Sequence, residues 1–292
     1  MGMLTTKDGT SIYYKDWGSG QPIVFSHGWP LDADAWDDQM MFLASRGFRC
    51  IAHDRRGWGR STQSWDGNGV DTYADDLAAL VTSLHLENVV HVGHSAGAGE
   101  IARYCSTHGT RNVSRVVLIS TVTPHMIKTS ANRPGVHRSS LDQMRARVVE
   151  DRPQFFKELA ERFFGANLSG WRASDGLREW FASQGMRAGL RAVHEGIKAF
   201  SETNFTRDLA AFEFPTLIIH GEEDQIAPLG CTGLVTSELV RGSVLKIYPG
   251  APHGLCWTHK HMLNEDLLLF IKHGRRVVTT LRREDEPEFE LR

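Results

Sequence analysis

The sequence predicts an α/β protein: a mostly parallel central sheet flanked by helices, interrupted by a helical cap insertion. Three observations predict it. Short apolar runs alternate with helix-length stretches, the runs are too uniformly apolar for strands with a wet face, and one long segment breaks the rhythm without any strand-like run.

The first element spans residues 4–14, where an Asp8-Gly9 turn joins two short runs and reads as a hairpin leading into the sheet. Residues 22–26, 48–52, 89–93, 113–120, 215–220 and 244–248 read as buried strands. Between several of them, 33–44, 72–84, 97–108 and 230–240 read as helices. From 124 to 208 the chain is Arg-rich and carries helical patterns at 154–164 and 189–200; strand alternation resumes at Pro215. A length of 292 residues first suggests two domains. The expected organisation is instead one core (1–123 and 209–272), one helical cap insertion (124–208) and a charged C-terminal tail (273–292) that reads as solvated.

Composition limits the function. Lys and Arg number 33 and Asp and Glu 35, a net charge of −2, which argues against nucleic acid or an anionic membrane as the main partner. The longest apolar run, 267–271, is far short of the roughly 20 residues a spanning helix needs. The cysteines Cys50, Cys105, Cys231 and Cys256 form no CxxC pair, so neither a thiol zinc site nor a disulfide framework is expected. The first residues show no basic segment followed by an apolar one, and a cytoplasmic location is expected.

Gly93-His94-Ser95-Ala96-Gly97 fits G-x-S-x-G between an expected strand and an expected helix. Glycines there permit a turn tight enough to expose a serine hydroxyl at a helix N-terminus, where developing negative charge is favoured. A serine needs a base to take its proton and an acid to orient that base, in the chain order serine, acid, histidine. Both follow. Asp224 lies in His220-Gly221-Glu222-Glu223-Asp224-Gln225 after one strand, and His253 in Pro249-Gly250-Ala251-Pro252-His253-Gly254 after the next. Each sits at the carboxyl end of a strand, the edge where open α/β sheets place their sites. Asp224 is preferred as the acid; its neighbours Glu222 and Glu223 read as solvated loop charges. An oxyanion needs two donors: the Ala96 N–H after the nucleophile, and the Trp29 N–H in His27-Gly28-Trp29-Pro30, since Pro30 has no N–H to give.

These motifs, with His53-Asp54-Arg55-Arg56-Gly57-Trp58-Gly59-Arg60-Ser61 and Thr72-Tyr73-Ala74-Asp75-Asp76-Leu77, resemble the α/β-hydrolase fold family. More narrowly, they resemble its cofactor-free bacterial chloroperoxidase, perhydrolase and aryl-esterase group, over roughly residues 3–272. The resemblance implies Ser95, Asp224 and His253 as a triad, Trp29 and Ala96 as oxyanion donors, and no metal or cofactor. It further implies perhydrolysis with hydrogen peroxide and homo-oligomers. Trp58 stands where that group usually has His, and Ala96-Gly97-Ala98-Gly99 interrupts its usual glycine run; both changes are expected to reshape the pocket.

Rival patterns fare worse. Gly97-Ala98-Gly99-Glu100-Ile101-Ala102 matches a dinucleotide fingerprint, but it lies mid-chain and Ser120-Thr121-Val122-Thr123 occupies the place of the ribose-binding acid. Dehalogenases and many epoxide hydrolases of this fold need Asp where Ser95 stands. The expected activity is hydrolysis of small aryl or alkyl carboxylic esters. Its alternatives are a lactamase or hydroxynitrile lyase on the same triad, and a non-catalytic small-ligand receptor. The aromatics Phe155, Phe156, Phe163, Phe164, Trp171, Trp180 and Phe181 are expected to divide between cap core and pocket roof. Pro30 is expected to tilt the Trp29 carbonyl and so affect how peroxide is held.

Overall fold

The computed structural model describes residues 1–168 and 173–274. Eight strands form one sheet: β1 (Gly2–Thr5), β2 (Ser11–Gly18), β3 (Gln21–Ser26), β4 (Phe48–His53), β5 (Val89–His94), β6 (Val113–Ile119), β7 (Thr216–Gly221) and β8 (Val244–Tyr248). Their spatial order is β1-β2-β4-β3-β5-β6-β7-β8. The hairpin β1–β2 is antiparallel and pairs antiparallel with β4; from β4 to β8 every pairing is parallel. Gly9, at φ +84° in the hairpin turn, adopts the left-handed conformation that the Asp8-Gly9 pair predicts.

The uniformly apolar runs are explained by cover on both faces. Ile23, Phe25, Cys50, Ala52, Val90, Val92, Val117, Ile119, Leu217 and Ile219 alternate onto one face. There they meet Met40 and Leu43 of α1 (Asp37–Ala44) and Leu263, Leu267 and Phe270 of α10 (Lys260–His273). The intervening Val24, Ile51, Val116, Leu118 and Ile218 face the opposite layer. That layer holds Leu77 and Leu80 of α2 (Val70–Ser83) and Ile101 and Ala102 of α3 (Ala96–His108). Strands dry on both sides lose the polar alternation of a half-exposed sheet.

Between β6 and β7 the chain leaves the sheet, and the described residues there form four helices, α4 (Arg138–Glu150), α5 (Arg152–Phe163), α6 (Asp175–Arg187) and α7 (Leu190–Glu202). They contact one another as α4 with α5, α5 with α6, and α4 with α7. Two short helices, α8 (Gly233–Leu239) and α9 (Leu255–Thr258), follow β7 and β8. Among the described residues, no helix is long and apolar enough to cross a membrane. Trp171 and most of the 273–292 tail lie outside the described residues.

Candidate active site

At the β3/β5 pair the strand order reverses, β4 lying on one side and β6 on the other, and a crevice forms at such a switch point beyond the strand ends. The loops after β3, β5, β7 and β8 converge there. Ser95, between β5 and α3, holds φ +54° and ψ −117°, a conformation sparsely populated by any residue with a side chain. The flanking glycines are forced by contact. A Cβ on Gly97 would lie 2.1 Å from the Ser26 carbonyl oxygen, and one on Gly93 2.6 Å from Ile101 Cδ1. Gly99 packs against the Phe205 ring, where a Cβ would come within 2.6 Å. Close packing thus accounts for both glycines of the dinucleotide-like pattern.

Ser95 Oγ lies 2.9 Å from His253 Nε2, and His253 Nδ1 lies 2.7 Å from Asp224 Oδ2. The structure therefore joins all three residues in one hydrogen-bond chain, each of them buried. Glu222 and Glu223 point to solvent, Glu222 accepting the Gly250 N–H at 3.0 Å. Asp224 is fixed by its second oxygen, which accepts the Ile226 and Ala227 N–H groups at 2.9 and 2.8 Å. Burial alone would raise its pKa. The His253 and His220 rings and their hydrogen bonds outweigh burial and hold the carboxyl well below the usual range. It is ionised, so His253 Nδ1 carries the proton and Nε2 is left to accept from the serine hydroxyl. A hydroxyl, imidazole and carboxylate in this order activate the oxygen as a nucleophile.

Two loops must stay in register to keep Asp224 beside His253. Glu222 N–H donates to the Tyr248 carbonyl and Glu223 N–H to that of Ala251, both at 3.0 Å. Gly221 permits this contact, because a Cβ there would lie 2.2 Å from the Ala251 oxygen. The His253 carbonyl is gripped twice, by His94 Nε2 at 3.0 Å and Ser120 Oγ at 3.1 Å. Burial first, and the neighbouring His253 ring second, depress the His94 pKa to about 3, so this ring stays neutral and serves as a fixed donor.

Trp29 and Ala96, the expected oxyanion donors, line one narrow cavity. Ala96 opens α3, where first-turn N–H groups have no intrahelical acceptor. Trp29 follows Gly28, whose approach is so close that a Cβ would sit 3.1 Å from Ser95 Cβ and 2.6 Å from His94 Nδ1. The Trp29 ring serves the packing instead. Its Nε1 donates to the Val193 carbonyl of α7 at 3.0 Å, and the ring packs on Phe155, Phe156 and Phe200. Trp58 is buried beside His27, its ring centroid 6.1 Å away edge-on.

The helical segment divides its aromatics. Phe155 and Phe156 belong to the core around Trp29, whereas Phe163 stands edge-on to the His253 ring at 5.1 Å. Phe164, Phe181 and Trp257 pack around Phe163, and Trp180 against Trp257. The Phe163 carbonyl accepts the Gly254 N–H at 2.7 Å, so the end of α5 holds the residue after His253. A surface cleft of about 610 Å³ between α2 and the Asp8 turn contains none of these residues.

The sequence motifs contain His94, Ser120 and His220 without revealing their work. His220 sits in the quoted His-Gly pair; its Nε2 approaches Asp224 Oδ2 at 3.2 Å and the Ala227 carbonyl at 2.8 Å. The signal for Ser120 is its φ of +45°, which only a structure reveals.

The family model for the alpha/beta hydrolase fold matches residues 21–260. The chain belongs to the α/β hydrolase fold family. Within it, this hydrolase falls in the non-haem haloperoxidase and perhydrolase group. It is 50% identical over 273 residues to the "Non-heme haloperoxidase" of Rhodococcus erythropolis, covering 93% of this chain and all of that one. It is 46% identical over 275 residues to the "Bifunctional esterase/perhydrolase DCH" of Acinetobacter calcoaceticus, with 93% and 100% covered. Among solved structures, the hydrolase superposes on a bromoperoxidase from Bacillus anthracis with a TM-score of 0.90 at 38% identity, covering 93% of this chain and 99% of that one.

Proposed function

We propose that this enzyme hydrolyses small carboxylic esters through an acyl-enzyme on Ser95, and that hydrogen peroxide can replace water as the acyl acceptor. The observation that carries the reading is the chain Asp224–His253–Ser95, ending on a strained serine at a helix N-terminus. The names of the relatives in haloperoxidase and perhydrolase chemistry support the second acceptor.

Ser95 Oγ attacks the ester carbonyl while His253 Nε2 takes its proton. The tetrahedral oxyanion accepts the Trp29 and Ala96 N–H groups, and Asp224 stabilises the imidazolium. His253 then protonates the departing alcohol or phenol, leaving the acyl group on Ser95. Water, deprotonated by His253, releases the carboxylic acid and restores the serine. With hydrogen peroxide the product is a peracid. In solution a peracid, a halide ion and a proton give the carboxylic acid and a hypohalous acid, so halide oxidation needs no redox centre on the enzyme. The segment 124–208 acts as the cap, with Phe163 against the base excluding bulk water and favouring apolar acyl groups.

The test is turnover of an aryl acetate, with and without peroxide, by the wild type and Ser95→Ala. Wild type is expected to release acid, and peracid when peroxide is present; Ser95→Ala should lose activity by about 10⁴-fold or more. Equal rates for the two proteins would remove Ser95 from the mechanism. Pro30 lies within the turn closed by the Leu31 N–H on the Gly28 carbonyl. Its substitution is expected to change the ratio of perhydrolysis to hydrolysis, and an unchanged ratio removes Pro30 from the account.

A further inference from the structure

We propose that Arg55 and Glu100 are positioning residues: a buried strut that aims the Trp29 N–H into the oxyanion hole and ties it to the helix carrying the other donor. The inference rests on the reading of Trp29 and Ala96 as oxyanion donors.

The argument starts from the peptide plane. The Gly28 carbonyl and the Trp29 N–H belong to one rigid peptide and point in opposite directions, so whatever holds the carbonyl aims the N–H. Gly28 O is held twice, by the Leu31 N–H at 2.9 Å, which closes a turn, and by His27 Nδ1 at 2.9 Å. His27 can donate from Nδ1 only as one tautomer. Arg55 selects it, because the Arg55 N–H donates to His27 Nε2 at 3.1 Å and so requires a lone pair there. Burial, and after it the Arg55 charge, push the His27 pKa far down, which keeps the ring neutral.

The same arginine holds the preceding peptide: its Nη2 donates to the His27 carbonyl at 2.8 Å. Both peptides flanking Gly28 are therefore set by Arg55, the first by its guanidinium and the second by its backbone N–H through His27, so that side-chain variants test the first contact. Its guanidinium is fixed in turn by Glu100 Oε2, which accepts from Nε at 2.9 Å and from Nη2 at 2.5 Å. Glu100 Oε1 lies 3.0 Å from His53 Nε2. Glu100 lies one turn beyond Ala96 on α3, and Trp29, Ala96, Arg55 and Glu100 line one narrow cavity. Arg55 is 2% exposed and Glu100 1%. A dry ion pair adds little stability over apolar residues of similar size. Here it connects the two loops that must present N–H groups to one oxygen.

Two variants test the proposal. Arg55→Met combined with Glu100→Met removes the two charges of the pair together, leaving His53 Nε2 without its Glu100 partner, and is expected to fold. Arg55→Lys keeps the charge beside Glu100 but lacks the fork that also reaches the His27 carbonyl. The measurements are melting temperature, kcat and KM on an aryl acetate, and affinity for an arylboronic acid, whose tetrahedral adduct on the serine mimics the oxyanion. In each variant kcat should fall between about tenfold and a thousandfold, the upper end being the loss of one whole donor. KM should change by less than about twofold, and boronate affinity should weaken by the same factor as kcat. A folded variant with unchanged kcat and boronate affinity overturns the proposal. So does a loss of kcat with boronate affinity intact. Ser95→Ala run in parallel separates the two levels: if it stays active, the underlying reading has failed and not merely the strut.

Discussion

Ser95 occupies a backbone conformation that costs of the order of 1–3 kcal/mol, and the glycines around it exist to let that conformation form. This is why a pentapeptide in a strand–turn–helix setting was legible in the sequence. The chemistry demands particular residue types, in a fixed chain order, at strand ends. Asp224 was separable from Glu222 and Glu223 only as a preference; the structure separates them by burial and by the two N–H groups that Asp224 accepts. His94, Ser120 and His220 were not legible as supports, because they hold backbone carbonyls or a carboxylate, and such contacts leave no mark on residue spacing. Asp224→Asn is expected to lower kcat by about 10⁴-fold, since the amide stabilises the wrong His253 tautomer. A loss of less than tenfold would place the acid elsewhere. The Asp224 carboxyl has a folded pKa below its unfolded value. Its stabilisation is thus present above the unfolded carboxylate pKa of about 3.9 and is lost as the pH falls below it. Acid unfolding of the wild type should accordingly show a drop below about pH 4 that is smaller in Asp224→Asn; equal curves would contradict the depressed value.

At the scale of elements, the strands were the most legible because both sheet faces are dry, and the six expected runs coincide with β3 to β8 to within a residue or two. Helix α5 was visible through Phe155, Phe156, Ala160 and Phe163 on one face. Helices α4 and α6 were not singled out, and the reason is physical. Helix α4 buries only Leu141 and Val148, and α6 buries Phe181 and Ala182 beside Gln184 and Gly185, so neither writes an apolar stripe of helical period. The expected single helix 33–44 begins as a short 3-10 turn, Ala33–Trp36, capped by the Asp32 carboxylate on the Asp34 N–H. Close approach at Gly97 links element packing to chemistry. Gly97→Ala would drive a Cβ to 2.1 Å from the Ser26 carbonyl, displacing α3 and Ala96 with it. Both melting temperature and kcat should fall. A stable, fully active variant would show that α3 does not fix the site.

For the whole molecule, α6 is tied to the segment after β3 by charge as well as by the packing of Phe181 near Leu31. Arg187, at the end of α6, reaches Asp32 Oδ2 at 2.9 Å through Nε, and Gln184 Oε1 accepts the Asp32 N–H at 3.1 Å. Burial, and then the Asp54 charge, raise the Asp32 pKa to about 6 despite Arg187. The sign is opposite to that of Asp224. The folded state holds this proton more tightly than the unfolded state, so the contribution of Asp32 is fully present below about pH 4 and is lost as the pH rises through about 6. The stability difference between wild type and Asp32→Asn, from denaturant unfolding, should therefore decline between pH 4 and 6.5. A flat or rising difference would contradict it. Fold class was readable because it follows from apolar rhythm over the whole chain. This latch was not, since its partners stand far apart in sequence and each alone resembles a surface polar residue.

The central claim is a covalent acyl group on Ser95, and rapid-quench mass spectrometry during turnover of an aryl acetate tests it most directly. The account predicts one acetyl group on the peptide containing Ser95, formed at the rate of the first phenol released, discharged faster when hydrogen peroxide is added, and absent from Ser95→Ala. Full turnover with that peptide unmodified, or an acetyl group accumulating kinetically competently on another residue, would contradict it.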